Sequence, residues 1–169
     1  RNFCSSVASS FISSYPRPFP TLAVSLGVSR VGFLILYNTP IKKERVLDLI
    51  EAYRGFFKLD LETKQAYNMA NTKSNRGWGA SGSEQVNPAG NLDYKEVFDC
   101  GVELDPSDPI HKLNLSCYAP NLWPEIPPGF AEAVKQYYAD VSEFANRFLP
   151  FVARSINKDA NHFNSAFTK

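Results

Sequence analysis

Few residues in this chain have the types and spacing that chemistry requires. Its three cysteines (Cys4, Cys100 and Cys117) form no Cys-x-x-Cys pair, which argues against a disulfide framework or a common zinc site and favours a reducing compartment. The sequence also lacks a Gly-x-Ser-x-Gly elbow, a Gly-x-x-x-x-Gly-Lys phosphate loop and a His-Glu-x-x-His pair. Cys100 has no histidine or basic cluster near it in sequence, so we predict an unreactive buried thiol rather than a nucleophile.

Residues 70–93 are rich in glycine, asparagine and serine, which predicts a long loop of the kind that often carries function. Gly77-x-Gly79-x-x-Gly82 spells a dinucleotide-binding pattern, but it follows no predicted strand and opens no predicted helix, so a flexible loop is the better interpretation. Arg76 and Trp78 are better suited to binding. A guanidinium holds a carboxylate in bidentate fashion, and an aromatic face walls a pocket. The alternative is an exposed arginine and a tryptophan that caps a core.

Length and charge limit the class of protein. A chain of 169 residues with 44% hydrophobic residues predicts one globular domain. A net charge of +1 provides no field for a phosphate backbone or an anionic membrane, so we expect no nucleic-acid or membrane partner. No apolar run approaches the roughly 20 residues that cross a bilayer. A cytoplasmic protein is predicted.

The first part of the chain predicts one irregular segment, one strand and two helices. Residues 1–27 are rich in serine and proline without a hydrophobic period, which favours irregular structure. Val31–Tyr37 is continuously apolar and rich in β-branched and aromatic types, which predicts a buried strand. Residues 42–58 carry apolar side chains three and four apart and predict an amphipathic helix. A short helix over 61–67 follows, with Asp60 as its N-cap.

The second part predicts a strand, a connection and a long helix. Alternation over residues 96–102 predicts a half-buried strand, with Lys95 and Glu96 interpreted as its solvated face. Residues 105–128 are a proline-rich connection. Apolar residues from Phe130 to Val152 mark one face of a long helix, and Pro150 predicts a kink or break near its end.

Five short motifs occur in order between residues 28 and 169. They are Arg30-Val31-Gly32-Phe33, the Phe56–Lys64 join between two helices, Arg76-Gly77-Trp78, the Asp93–Gly101 strand and Asn121-Leu122-Trp123-Pro124. In this order they resemble the N-terminal domain of isopenicillin N synthase-like iron(II)- and 2-oxoglutarate-dependent dioxygenases. The resemblance implies an α/β fold, in which a helical and strand region supports a C-terminal double-stranded β-helix (jelly-roll). Residues 1–27 lack the family's opening strand, so the matching domain is predicted over 28–169.

The resemblance also implies where iron would bind. The family holds iron(II) with a His-x-Asp pair and a distant histidine, and grips 2-oxoglutarate with an Arg-x-Ser. Neither His111 nor His162 begins a His-x-Asp, and Arg154 is followed by Ser155 directly. We therefore assign no catalytic or metal residue to this chain and interpret both histidines as surface or hydrogen-bonded. Iron(II) and 2-oxoglutarate are implied for the complete enzyme only, and the catalytic core is predicted to be absent.

The motifs finally imply a substrate side. In the family the loop that matches Arg76 and Trp78 lies over the mouth of the active site, and Phe98 and Glu84 are further candidates to face it. The predicted partners are a small-molecule substrate and the missing β-helix domain. With Arg1 in place of methionine, we expect a fragment of an oxidoreductase that is inactive alone. The alternatives are a non-catalytic binding module from a truncated gene and a fragment that does not fold stably.

Overall fold

The structure is a computed structural model that describes residues 19–30, 32–71, 74–83, 90 and 94–167. It divides into two compact units. The central unit is Lys43–Tyr137, and the terminal unit combines Arg1–Lys42 with Tyr138–Lys169. No helix among the described residues is both long and apolar enough to span a bilayer.

The terminal unit contains a helix that the sequence pattern does not reveal. Helix α1 spans Phe19–Arg30, so the prediction of irregular structure is wrong over residues 19–27. Its apolar residues are spread around the helix instead of forming a stripe, which is why no period marks it. Pro20 lies in the first turn, where the missing N–H costs no helical hydrogen bond. Val24 is buried.

The predicted strand Val31–Tyr37 is wrong for the residues that the structure describes. Residues 32–37 pair with no strand there, and Phe33 and Ile35 are 80% and 87% exposed. A continuous apolar run records that a segment is suited to burial, but a strand also needs a hydrogen-bonding neighbour, which no local pattern specifies.

The long helix is confirmed. Counting in chain order, the fourth α-helix, α4, spans Phe130–Ser155. It continues through Pro150, so of the predicted kink or break the break does not occur, and the kink stays a prediction. It ends in a Schellman motif: Asn157 has a φ of +59°, and the N–H of Lys158 donates to the Ala153 carbonyl over 2.9 Å.

The central unit contains two further helices and a small sheet. Helix α2 spans Lys43–Phe57 and helix α3 spans Leu61–Gln65. The carboxylate of Asp60 accepts the Thr63 N–H over 2.8 Å, which confirms the predicted N-cap. Strands β1 (Gly77–Gly79) and β2 (Val97–Asp99) pair antiparallel, with Trp78 opposite Phe98. Strand β1 lies inside the segment that the sequence predicts to be a loop, so that prediction is wrong over residues 77–79. The strand is not predicted because Gly-Trp-Gly shows no alternation of polar and apolar residues.

Aromatic rings form the core of the central unit. Its buried members are Phe56, Trp78, Phe98, Phe130 and Val134. Ring centroids of Phe56 and Phe98 are 4.8 Å apart, and those of Phe98 and Phe130 are 5.0 Å apart, both in edge-on geometry. Such pairs add about 0.5–1.5 kcal/mol each beyond the burial of their area. This core therefore joins α2, the two strands and the first turns of α4.

Candidate functional site

The carboxylate of Glu96 is the meeting point of three chain segments. Lys64, on α3, places its ammonium 2.8 Å and 3.0 Å from the two Glu96 oxygens. The Trp78 indole N–H donates to Oε2 of the same carboxylate over 3.0 Å. The third acceptor for Lys64 is the carbonyl of Phe57, 3.3 Å away at the end of α2. We call Lys64, Trp78 and Glu96 the inner cluster.

Burial gives the inner cluster its electrostatic character. The Lys64 side chain is 7% exposed and the Glu96 side chain 32%, so water screens this pair less than it screens two fully exposed charges. The hydrogen bond from Lys64 is the main cause that lowers the pKa of the Glu96 carboxyl. Desolvation opposes it, and the bond from Trp78 lowers the pKa further. Lys95 and Glu96 are exposed, as the interpretation of a solvated face predicts, but the Glu96 carboxylate is also hydrogen-bonded to Lys64 and Trp78, which that interpretation did not include.

Arg76 joins two loops through main-chain contacts. One of its terminal nitrogens, Nη2, donates to the Cys117 carbonyl, and the other lies 3.4 Å from the carbonyl of Asn75. The guanidinium lies against Gly101, where a Cβ would come within 2.4 Å of its Nη2. Its Nε is buried without a hydrogen-bond partner. The guanidinium thus contacts the protein itself in this structure, and no carboxylate among the described residues pairs with it.

The Gly101 backbone is also bound from the other side of the chain. The amide of Asn121 accepts the Gly101 N–H over 2.9 Å and donates to the Gly101 carbonyl over 2.8 Å. Gly77 shows a similar close approach, because a Cβ there would lie 2.3 Å from the Tyr67 carbonyl oxygen. These contacts explain why particular motif positions are glycine.

A second cluster repeats the chemistry of the inner one at the surface. The Trp123 indole N–H donates to Glu103 over 2.8 Å, and Lys135 lies 3.6 Å from the other oxygen of that carboxylate. Here Lys135 and Glu103 are 53% and 41% exposed. We call Glu103, Trp123 and Lys135 the outer cluster. The two clusters share residue types and differ in burial.

Cys100 lies beside the core, partly buried. Its sulfur is 3.9 Å from the Tyr53 hydroxyl. The same hydroxyl donates to the Phe98 carbonyl oxygen over 3.4 Å. Burial is the main cause that raises the pKa of the Cys100 thiol. These observations agree with the predicted unreactive thiol.

The described residues do not fit an iron site. They contain no group of three or more His, Cys, Asp or Glu side chains that could hold a metal ion. His111 borders an open cavity of about 310 Å³ that is otherwise lined by residues 114–116, 118–120 and Ser74, with no carboxylate. His162 contacts the ring of Phe163.

The predicted substrate-side residues are only partly brought together. Trp78 and Phe98 are cross-strand neighbours, but both lie in the core at 1% and 5% exposure. Arg76 precedes β1 and points to Cys117. Glu84 lies outside the described residues. Their role in substrate binding stays a prediction.

Sequence reasoning gave no role to Lys64, Gly101 or Asn121, although each stands in a quoted motif. Lys64 and Glu96 are 32 positions apart in the chain. A signal did exist, since a lysine in a short helix and a glutamate before a strand are both fixed positions of the resemblance.

The fold and contacts define the class of protein to which the chain is similar. A 2OG-Fe(II) oxygenase family protein from Caulobacter crescentus superimposes with a TM-score of 0.76 at 24% identity, over 90% of this chain and 49% of that one. A Neurospora crassa protein, solved in complex with alpha-KG and thymine, gives a TM-score of 0.67 at 25% identity, over 87% and 45%. The architecture is that of 2OG-Fe(II) oxygenases over part of their length.

Sequence comparison defines the family. Residues 23–126 match the model of the family described as non-haem dioxygenase in morphine synthesis N-terminal. The chain belongs to this family. A 2-oxoglutarate-dependent dioxygenase of Dothideomycetidae sp. is 31% identical over 81% of this chain and 36% of its own length. A proline hydroxylase of Petromyces alliaceus is 32% identical over 80% and 41%. The chain thus spans less than half of these relatives.

Proposed function

We propose that this chain is the N-terminal part of an oxidoreductase that oxidises a small organic substrate with O2, iron(II) and 2-oxoglutarate. In this proposal the chain supplies a scaffold and the substrate-side segment around β1, while a C-terminal β-helix supplies the iron ligands. The observation that carries it is that the motif side chains contact one another. Lys64, Trp78 and Glu96 bind each other, and Arg76 and Asn121 bind main-chain atoms.

The same contacts favour indirect roles for two of the predicted substrate-side residues. Trp78 is buried with its indole N–H bonded, so we propose that it fixes β1 rather than touching substrate. The Arg76 guanidinium is bonded to the Cys117 carbonyl, so we propose that it sets the position of the loop. Phe98 would pack behind them. Glu84 remains the candidate for direct contact.

The first test uses the purified chain alone. It is titrated anaerobically with iron(II), then supplied with O2, ascorbate and 2-oxoglutarate, and 2-oxoglutarate consumption is measured. We expect neither tight iron binding nor consumption above buffer. Stoichiometric iron binding with turnover would overturn the proposal that the chain lacks the iron site.

The second test asks whether the chain serves as a dioxygenase N-terminal region. A chimaera joins it to the C-terminal part of the 31% identical relative, and the relative's C-terminal part alone is the control. We expect the chimaera to consume 2-oxoglutarate about tenfold faster than the control, because the scaffold orders the catalytic part. A folded chimaera no more active than the control would favour the alternative, a non-catalytic binding module.

A further inference from the structure

The inner cluster contains a buried charge that hydrophobic packing does not require. Three acceptors lie within hydrogen-bond distance of the Lys64 ammonium: both Glu96 oxygens and the Phe57 carbonyl. Its donors are therefore matched, and the ammonium also lies 5.5 Å from the centre of the Trp78 ring. A buried ion pair often stabilises a fold no better than an apolar group of similar volume. Its hydrogen bonds, however, fix the relative positions of the groups that they join.

The element whose position is fixed here is strand β1. The strand has three residues. Besides its pairing with β2, its main chain is bonded through the main-chain N–H of Trp78, which donates to the Tyr67 carbonyl over 2.7 Å. Glycines flank Trp78 on both sides, so the indole is the only side chain that can anchor the strand. Its N–H is bonded to the carboxylate that Lys64 holds.

We infer that Lys64 and Glu96 are positioning residues that hold β1, and with it the segment from Ala80 to Ser83, through the Trp78 indole. The importance of that segment for substrate rests on the proposed function; the positioning itself does not. Gly79 links the two, since it lies against Val97 and Ser83 so closely that a Cβ would approach each within 3 Å.

The outer cluster provides an internal control. The chain has two tryptophans, and each indole N–H donates to a glutamate that faces a lysine. In the outer cluster the lysine and glutamate are about half exposed, so water replaces the lysine when it is removed. Lys64→Met and Lys135→Met therefore remove the same group from a buried and an exposed setting.

The test measures hydrogen exchange of the two indole N–H groups and of the amides of residues 77–83 by NMR. In Lys64→Met we expect the Trp78 indole and these amides to exchange about tenfold faster or more, while the Trp123 indole is unchanged. In Lys135→Met we expect less than a twofold effect at Trp123. Global stability is measured alongside, so that local loosening is separated from general destabilisation.

A pH profile adds a readout that a packing role would not move. Among the described residues, Lys64 forms the ion pair with Glu96, and its hydrogen bond lowers the pKa of the Glu96 carboxyl. The wild-type Trp78 indole bond should therefore persist to lower pH than in Lys64→Met. In Glu96→Gln, which keeps an oxygen acceptor for the indole, this acid transition should disappear.

Two results would overturn the inference. One is wild-type exchange at residues 77–83 in Lys64→Met with only the global stability reduced. The other is an acid transition at Trp78 with the same midpoint in both proteins. Should Lys64→Met not fold, Glu96→Gln decides: an acid transition of the Trp78 indole bond that persists in this variant refutes positioning through the Glu96 carboxylate. All these measurements use this chain without turnover, so a failure of the proposed dioxygenase function leaves them readable.

Discussion

Gly77 should be the glycine of the central unit that least tolerates a side chain. Its φ is +110°, which costs an L-residue about 1–2 kcal/mol. A Cβ there would lie 2.3 Å from the Tyr67 carbonyl oxygen and 2.9 Å from Leu122 Cδ1. That oxygen accepts the Trp78 N–H, so it can retreat only by weakening a hydrogen bond worth about 1 kcal/mol. With about 1–3 kcal/mol for overpacking, we expect Gly77→Ala to destabilise by about 3–6 kcal/mol.

Gly129 offers a matched control in the same unit. Its φ is +80°, and nothing lies within 4 Å of a Cβ built on it. Gly129→Ala should therefore cost about 1–2 kcal/mol, from the backbone alone. The loss of unfolded-chain entropy on replacing glycine is common to both variants and cancels in their comparison.

The assay is urea unfolding followed by tryptophan fluorescence. With a slope of about 2 kcal/mol per molar urea, Gly77→Ala should lower the midpoint by about 1.5–3 M and Gly129→Ala by less than about 1 M. Equal shifts in the two variants would refute the reasoning, because they would mean that the contacts of Gly77 with Tyr67 and Leu122 add nothing to backbone strain.

Three other predictions concern single contacts. Arg76→Ala should lower stability by about 1–2 kcal/mol in thermal unfolding, and Arg76→Lys should recover less than half, since lysine has no planar group; wild-type stability in Arg76→Ala would contradict this. The N-cap hydrogen bonds from Thr63 lower the pKa of Asp60, so its contribution is present above about pH 4, the pKa of an unfolded aspartate, and is lost as pH falls through the folded pKa. Urea midpoints of wild type and Asp60→Asn should therefore converge in acid, and a constant gap would count against it. In a Cys4→Ser background, exposed Cys117 should react with iodoacetamide about tenfold or more faster than Cys100, and equal rates by mass spectrometry would disprove the shielding of Cys100.

The elements that the sequence predicts well are those whose pattern is local. Helices α2 and α4 have apolar residues at helical spacing, and the same spacing places Phe56 and Phe130 in the core. Strand β2 was predicted over residues 96–102 and is confirmed over the shorter range Val97–Asp99, with Phe98 buried between half-buried Val97 and exposed Asp99. In each case buried positions recur at a fixed interval along the chain, every three to four residues in a helix and every second residue in a strand.

The elements that the sequence misses depend on distant partners. Strand β1 exists because Trp78 finds Phe98 across the sheet and the Tyr67 carbonyl on its other side. The segment Val31–Tyr37 has the composition of a strand but no such neighbour among the described residues. Composition alone therefore misjudged both, in opposite directions.

The candidate site was missed for the same reason. Glu96 stands at a position where alternation predicts solvent, and its ion pair comes from a lysine on a separate helix. The resemblance identified the right segments without assigning them contacts. The structure supplies the contacts, and they are mostly to backbone atoms or to other motif residues.

The motifs are individually weak because each contributes one half of a contact. Arg76 needs a residue without a side chain at 101 to lie against, and Asn121 needs the same glycine's N–H and carbonyl. Trp78 needs an acceptor that Lys64 keeps in place. A change in one motif therefore removes the partner of another, which is why their order and spacing carry more information than any one of them. These contacts support the proposal made above, in which the motif residues preserve the geometry of β1 and its neighbours and serve a complete enzyme through position rather than through contact with substrate.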